Sequence, residues 1–297
     1  MSAAQWFAAP AKINLALHVT GRRRDGYHRI ETIAVFADIG DRIGISAAGV
    51  DSFHIEGPEA SALAGEAPTQ NLVVRARDLM RDVLNEHDIP APPAAIVLDK
   101  QLPAGSGIGG GSADAAATLA GLMLHWQADA AAQAIRERAV SLGADVPMCL
   151  ASRPLVASGA GEEIRPLSGM PSLALVLANP RRHVSTPAVF AALEKRDNPP
   201  LPADGMTGLR SAGDWAAWLS RNTRNDLQAS SARLTPEIED CLAALETTAP
   251  LLARMSGSGA TCFGIYDDMN AARAAAKDLL HRRPDWWITA TETGATP

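Results

Sequence analysis

Cysteine is scarce in this chain, long apolar runs are missing, and there is no surplus of basic charge. Its 297 residues hold three cysteines, Cys149, Cys241 and Cys262, odd in number and far apart. No disulfide framework or zinc spacing can be read from that pattern, which favours a reducing cytoplasm. No stretch reaches the roughly 18 apolar residues of a membrane span. Residues 1–10 lack the basic start and apolar centre of a secretory signal. The seven histidines are scattered, with no HExxH pair. Net charge is −6, which speaks against a general nucleic-acid binder. The basic run Arg22, Arg23, Arg24 is short enough to be a solvated turn. No internal repeat or low-complexity tract is present.

What is there fits a globular chain of two subdomains. Apolar residues make up 47%, enough for a core, and the length exceeds the usual single-core size. Residues 11–19 (AKINLALHV) alternate: Ile13, Leu15, Leu17 and Val19 share one face, and Lys12, Asn14, Ala16 and His18 the other. The pattern predicts a strand with one buried face. A turn at Asp25 and Gly26 leads to further strand over 32–45. A helix over 71–87 is expected with Asn71 as its cap, then a strand over 94–99. Helices over 113–126 and 130–142 follow, then a strand pair about Gly159 and Gly161 and a strand over 173–177. Residues 197–214 read as a loop. The last part reads helix 235–247, strand 251–255, glycine loop 256–259, strand 261–266, helix 270–282 and strand 286–291, a split β-α-β pattern.

The strongest local signal is GSGIGGGSADAAATL at residues 105–119. Glycines let a backbone turn tightly and approach a ligand closely. Successive N–H groups and the helix that follows would present positive potential to phosphate oxygens. Ser112 is expected at the helix start, as a cap or facing a phosphate. The loop is not a Walker A motif, because no lysine follows Gly111. Gly105, Gly107 and Gly110 do match GxGxxG, so a dinucleotide site is an alternative. That alternative needs a strand after the helix, where the pattern shows a second helix. A plain helix-capping turn is a further alternative, disfavoured by the entropic cost of so many glycines.

Three other segments could complete a phosphate-transfer site. In GADVP (143–147), Asp145 sits in a tight bend after a helix end. It is either a turn aspartate or a carboxylate placed to take a hydroxyl proton. Lys12 is either a solubilising strand lysine or the cation beside a travelling phosphoryl group. The Gly-Ser-Gly turn in RMSGSGATCFGIY (254–266) is either a hairpin turn or a second backbone nest.

Together these segments resemble the GHMP-superfamily kinases. That family has a lysine/asparagine strand, a glycine-serine loop opening a helix and a C-terminal glycine loop, in this order. The likeness is greatest to the branch whose acceptor is a cytidine-diphosphate sugar alcohol. It rests on PAKINLALHVTGRRRDGYHRIET (10–32), LDKQLPAGSGIGGGSADAAATL (98–119), LGADVPMCL (142–150), RNDLQ (224–228) and RMSGSGA (254–260). The resemblance implies an α+β, two-subdomain GHMP-kinase fold with an active-site cleft between the subdomains. An ATP-binding domain would span 1–163 and a second domain 164–297. It implies ATP-dependent phosphorylation of a hydroxyl, with Mg²⁺ brought by ATP and no resident metal ligands. Asp145 would be the base and Lys12 its cationic partner. Lys100, Pro103, Ala104, Gly105, Ser106, Gly107, Ile108, Gly109, Gly110, Gly111, Ser112 and Ala113 would hold the nucleotide. Tyr27, His28 and Phe190 would grip the cytosine, and Asn14 and Thr186 would touch the substrate. The implied partner is a small molecule, with no nucleic acid or membrane, bound by a cytoplasmic monomer or homodimer.

Other readings stay open. They are a GHMP kinase for a sugar, homoserine or mevalonate, a non-catalytic nucleotide-binding module, and a NAD-dependent oxidoreductase. Retention of both Lys12 and Asp145 speaks against the module. The family's loop often carries Met-Gly-Gly-Gly-Leu where this chain has Ala-Gly-Ser-Gly-Ile at 104–108. Residues 197–222 and the tryptophans Trp215, Trp218, Trp286 and Trp287 match no pattern and receive no role.

Overall fold

The computed structural model describes residues 3–24, 26–202 and 205–294. Asp25 of the expected turn, and residues 203–204 of the expected loop, lie outside the described residues. Two compact units make up the chain. One takes Met1–Ala11, Gly40–Ala104 and Gly109–Ala151, and the other Lys12–Ile39, Gly105–Ile108 and Ser152–Pro297. A single cut after residue 163 therefore does not separate them. The reason lies in two long strands, β1 (Gln5–Arg22) and β2 (His28–Ala47), each of which contributes residues to both units.

The first unit adds β3 (Ser52–Glu56), α1 (Leu72–Glu86), β4 (Ala94–Asp99), α2 (Gly110–His125), α3 (Ala132–Ala139) and α4 (Val146–Ala151). β4 pairs antiparallel with the end of β2, Arg42 opposite Asp99 and Ala47 opposite Ala94, and parallel with β3. α1 starts where Asn71 caps it, its side chain accepting the N–H of Val73. Val73, Ala76, Met80, Val83 and Leu84 recur at helical spacing and are buried. α2 begins three residues before the predicted start. Gly109 stands in the left-handed region (φ 68°), ends the loop there and turns the chain straight into the helix. Ser112 thus lies inside the first turn rather than capping it. The expected helix 130–142 is α3 with a 3₁₀ turn at each end.

The second unit adds β5 (Leu155–Ser158), β6 (Glu163–Pro166), β7 (Ala174–Asn179), α5 (Thr186–Ala191), α6 (Ala212–Asn222), α7 (Gln228–Leu234), α8 (Glu237–Glu246), β8 (Leu252–Met255), β9 (Cys262–Tyr266), α9 (Met269–Arg282) and β10 (Trp287–Glu292). Its four-stranded sheet runs β10-β7-β9-β8, all neighbours antiparallel. β9 and β10 flank β7 and are joined by α9, the split β-α-β arrangement read from the pattern. Ala174, Val176 and Ala178 of β7 share a core with Ile238, Cys241 and Leu245 of α8 and Ala272, Ala276 and Leu279 of α9. α6 opens on a capping box in which Ser211 and Asp214 bond each other's backbone. It buries Trp215 and Trp218, whose rings meet edge-on at 6.1 Å. These two tryptophans therefore belong to the packing.

β1 departs from its alternating pattern, because both faces are covered. Lys12, Asn14 and His18 are only 3%, 2% and 0% exposed. The chain at 224–226 runs along the strand, with Leu17 N–H donating to Arg224 O at 2.9 Å and Asp226 N–H to Leu17 O at 2.8 Å. His18 Nε2 accepts the Arg224 N–H at 3.1 Å, so its proton sits on Nδ1 and points at Pro199 O, 3.1 Å away. Burial, then the nearby Arg224, lowers the His18 pKa. All three cysteines are buried. Among the described residues, no helix is long and apolar enough to cross a membrane.

Candidate active site

In the second unit, three segments distant in sequence meet at the tip of the glycine loop. Lys12 N–H donates to Ile108 O at 2.9 Å. Asn14 N–H donates to Ser256 Oγ at 3.0 Å, and that hydroxyl donates to Gly107 O at 3.1 Å. The C-terminal glycine loop thus closes on the first one backbone to backbone. A Cβ on Gly107 (φ +76°) would stand 2.6 Å from Gly259 O and 2.7 Å from Ser256 O. Thr261 N–H also donates to Ser106 O at 3.0 Å.

The polar face of β1 is wired to this junction. Lys12 Nζ donates to Asn14 Oδ1 at 3.0 Å, and Asn14 Nδ2 to Thr32 Oγ1 at 2.7 Å. Thr32 Oγ1 in turn donates to Ala16 O at 2.6 Å. Asn14 is therefore held in one amide orientation and fixes the direction of the Lys12 ammonium. Arg254, just before the C-terminal loop, is buried with no carboxylate partner among the described residues. It donates to Leu15 O, Leu219 O and both oxygens of Thr223, and burial lowers its pKa to about 10. Asn225 Nδ2 clamps the same loop through Met255 O and Gly257 O, both at 2.8 Å.

In the first unit, Gly110, Gly111, Ser112 and Ala113 form the opening turn of α2, whose N–H groups point back toward the loop. Pro103 and Ala104 lead into that loop. Asp145 stands one residue before α4, half-buried, with its carbonyl accepting the Cys149 N–H. A Cβ on Gly143 would lie 3.7 Å from Ser112 Oγ, so the Asp145 bend is packed beside the start of α2. Lys100 is 2% exposed, and its ammonium pairs with Asp41 and Asp114.

The residues expected at the cytosine lie in the second unit. The rings of His28 and Phe190 stack, centroids 4.7 Å apart and planes 21° from parallel. His28 Nε2 is buried and has no hydrogen-bond partner among the described residues. Burial, then Arg196 and Arg22, lowers the His28 pKa, so the ring is neutral at neutral pH. Tyr27 is 64% exposed beside it, in a loop closed by Arg23 N–H donating to Tyr27 O. Thr186 opens α5, its hydroxyl 2.8 Å from Ser258 Oγ of the C-terminal loop.

Comparison with known proteins decides among the open readings. Residues 71–153 match the family described as "GHMP kinases N terminal domain", and residues 206–281 match "GHMP kinases C terminal". A 4-diphosphocytidyl-2-C-methyl-D-erythritol kinase of Agrobacterium fabrum is 51% identical over 96% of this chain and 95% of its own length. One of Rhizobium etli is 52% identical over 96% and 93%. The chain belongs to the 4-diphosphocytidyl-2-C-methyl-D-erythritol kinase family. A crystal structure of 4-(cytidine 5'-diphospho)-2C-methyl-D-erythritol kinase matches with TM-score 0.79 and 31% identity, covering 98% of this chain and 99% of that one.

As a GHMP kinase the chain is an ATP-dependent small-molecule kinase of α+β fold, with N- and C-terminal GHMP domains. The dinucleotide reading falls: α2 runs into a 3₁₀ turn and α3, with no strand between. Several residues of this kinase's site were not singled out from sequence. Ser256 joins the two glycine loops, Asn225 clamps the C-terminal one, Thr32 holds Asn14, and Asp41 and Asp114 engage Lys100. Asn225 lies within the RNDLQ match, which was the available signal. Asp41 precedes Lys100 by 59 residues, and no spacing rule links them.

Proposed function

We propose that this kinase transfers the γ-phosphoryl group of ATP to the 2-hydroxyl of 4-diphosphocytidyl-2-C-methyl-D-erythritol, in the cytoplasm, as a step in non-mevalonate isoprenoid precursor synthesis. The observation that carries the acceptor is the stacked His28–Phe190 pair with an unbonded, buried His28 Nε2. A buried polar nitrogen without a partner costs about 1–3 kcal/mol and persists where a ligand completes it. A neutral imidazole offers one donor and one acceptor, which suits the edge of a cytosine. Exposed Tyr27 supplies a second aromatic face for the base.

The reaction needs positioning and charge stabilisation rather than covalent catalysis. The acceptor oxygen bonds to the γ-phosphorus. The bond from that phosphorus to the β–γ bridging oxygen breaks, and ADP leaves with its electron pair. Asp145 takes the hydroxyl proton. The Lys12 ammonium, aimed by Asn14, offsets charge on the travelling group. Backbone N–H groups of residues 105–111 and the start of α2 meet the phosphates. Mg²⁺ enters with ATP as part of the substrate and neutralises phosphate charge.

Tyr27→Ala combined with Phe190→Ala tests the acceptor assignment. Stacking is worth about 1–3 kcal/mol per base, so kcat/KM for the acceptor should fall about tenfold to several hundred-fold. The KM for ATP should stay near wild type, with circular dichroism unchanged. Unaltered acceptor kinetics would sink the cytidine reading, and equal weakening of both substrates would mark structural damage.

A further inference from the structure

Asp41, Lys100 and Asp114 form a cluster that the transfer step does not use. All three are buried, at 1%, 2% and 3% exposure. Lys100 follows β4 at the entry to the nucleotide loop, Asp114 lies in α2 at its exit, and Asp41 comes from β2. The Lys100 ammonium pairs with Asp41 and stands 3.3 Å from Asp114 Oδ2. The other Asp41 oxygen accepts the N–H groups of Gln101 at 2.6 Å and Leu102 at 2.8 Å. A Cβ on Gly110 would stand 3.1 Å from Lys100 Nζ and 3.5 Å from Asp41 Oδ2. One cluster therefore bonds the backbone where the loop begins and underlies the backbone where it ends.

We propose that Asp41, Lys100 and Asp114 are positioning residues, a buried brace holding both ends of the nucleotide loop at the separation that the ATP phosphates require. This rests on the reading of that loop as the ATP site. A dry site does not hold two carboxylates against one ammonium without large cost. Burial pushes the Asp114 carboxyl well above the carboxylate range; the Lys100 charge pulls the other way, and Asp41 adds to the rise. Burial alone would lower Lys100, but the Asp114 and Asp41 carboxyl groups outweigh it and raise its pKa. Asp114 is thus pushed toward the neutral acid, while Asp41 pairs with the ammonium and orders the backbone through the N–H groups of Gln101 and Leu102. Asp114 Oδ1 has no hydrogen-bond partner among the described residues, in keeping with a group that needs shape more than charge.

Steady-state kinetics with both substrates varied provide the test. Asp41→Asn keeps the shape and removes the charge, so KM for ATP should rise about tenfold or more while acceptor KM stays within about twofold. Asp114→Leu should raise KM for ATP in the same way, and Asp114→Asn should restore most of the loss. Gly110→Ala removes no charge but presses a methyl group onto the brace, and should raise KM for ATP several-fold. Should Asp41→Asn fail to fold, the KM split between Asp114→Leu and Asp114→Asn decides. Unchanged KM for ATP in a folded variant, or an equal rise for both substrates, overturns the brace. So does Asp114→Asn performing as poorly as Asp114→Leu. A wild-type protein that does not use ATP would overturn the loop assignment and the brace with it. Wild-type activity with an indifferent Asp41→Asn overturns the brace alone.

Discussion

Replacing Gly107 by alanine tests whether the two glycine loops must touch. Two separate costs apply. The first is conformational: Gly107 has φ +76°, and an L-residue in the left-handed region costs about 1–2 kcal/mol. The second is steric. The new Cβ would stand 2.6 Å from Gly259 O, 2.7 Å from Gly259 N and 2.7 Å from Ser256 O, all backbone atoms that no rotamer change can remove. The loops must part by several tenths of an ångström, and the bond from Ser256 Oγ to Gly107 O is lost. Gly169 separates the two costs, because its φ is nearly the same at +77° and nothing lies within 4 Å of its Cβ position. Gly169→Ala should lose about 1–2 kcal/mol of stability and bind ATP normally. Gly107→Ala should lose more stability and at least about tenfold in ATP affinity, or about 1.4 kcal/mol. Urea unfolding and calorimetric titration with a non-hydrolysable ATP analogue measure both quantities. If Gly107→Ala matches Gly169→Ala in stability and in nucleotide affinity, the loop contact plays no part in binding.

Two further outcomes follow from the site. Asp145→Asn should fold and bind ATP but lose about 10²–10⁴-fold in kcat, as expected for a missing general base, and turnover within a few-fold of wild type would exclude that role. His18 has a folded pKa below its ordinary value of about 6.5, so the unfolded chain binds more protons as pH falls through that value. Its stabilising contribution is present above about pH 6.5 and is lost progressively below it. His28, lowered likewise, adds a term of the same sign. The His18 share is the difference between melting curves of wild type and His18→Gln from pH 8 to 5, and identical pH dependence in the two would refute it.

Much of this architecture was readable where one local cause dominated. The alternation of Ile13, Leu15, Leu17 and Val19 marked β1, Asn71 marked the start of α1, and dense glycine marked the loop that opens α2. Legibility failed where partners come from far along the chain. The opposite face of β1 looked polar because Lys12, Asn14 and His18 occupy it, yet Pro199 and Arg224 bond His18, Thr32 and Ser256 bond Asn14, and Asn14 bonds Lys12. The short helices α5 and α7, of six and seven residues, carry too little periodicity to stand out. α6 was different: Ser211 and Asp214 three residues apart form a capping box that was there to be read. The buried pairing of Lys100 could not have been seen, since an isolated lysine before a glycine loop looks the same whether it faces a nucleotide or two carboxyl groups. The two compact units are discontinuous in sequence because β1 and β2 each serve both.

The most direct test is turnover by the purified protein with ATP and a panel of acceptors: 4-diphosphocytidyl-2-C-methyl-D-erythritol, homoserine, mevalonate and galactose. ADP release gives the rate, and phosphorus NMR identifies the product. Rapid turnover with the cytidine-containing acceptor alone, yielding a new phosphomonoester on its 2-hydroxyl, is the expected result. No turnover with that acceptor, or faster turnover with any of the other three, would contradict the proposed function.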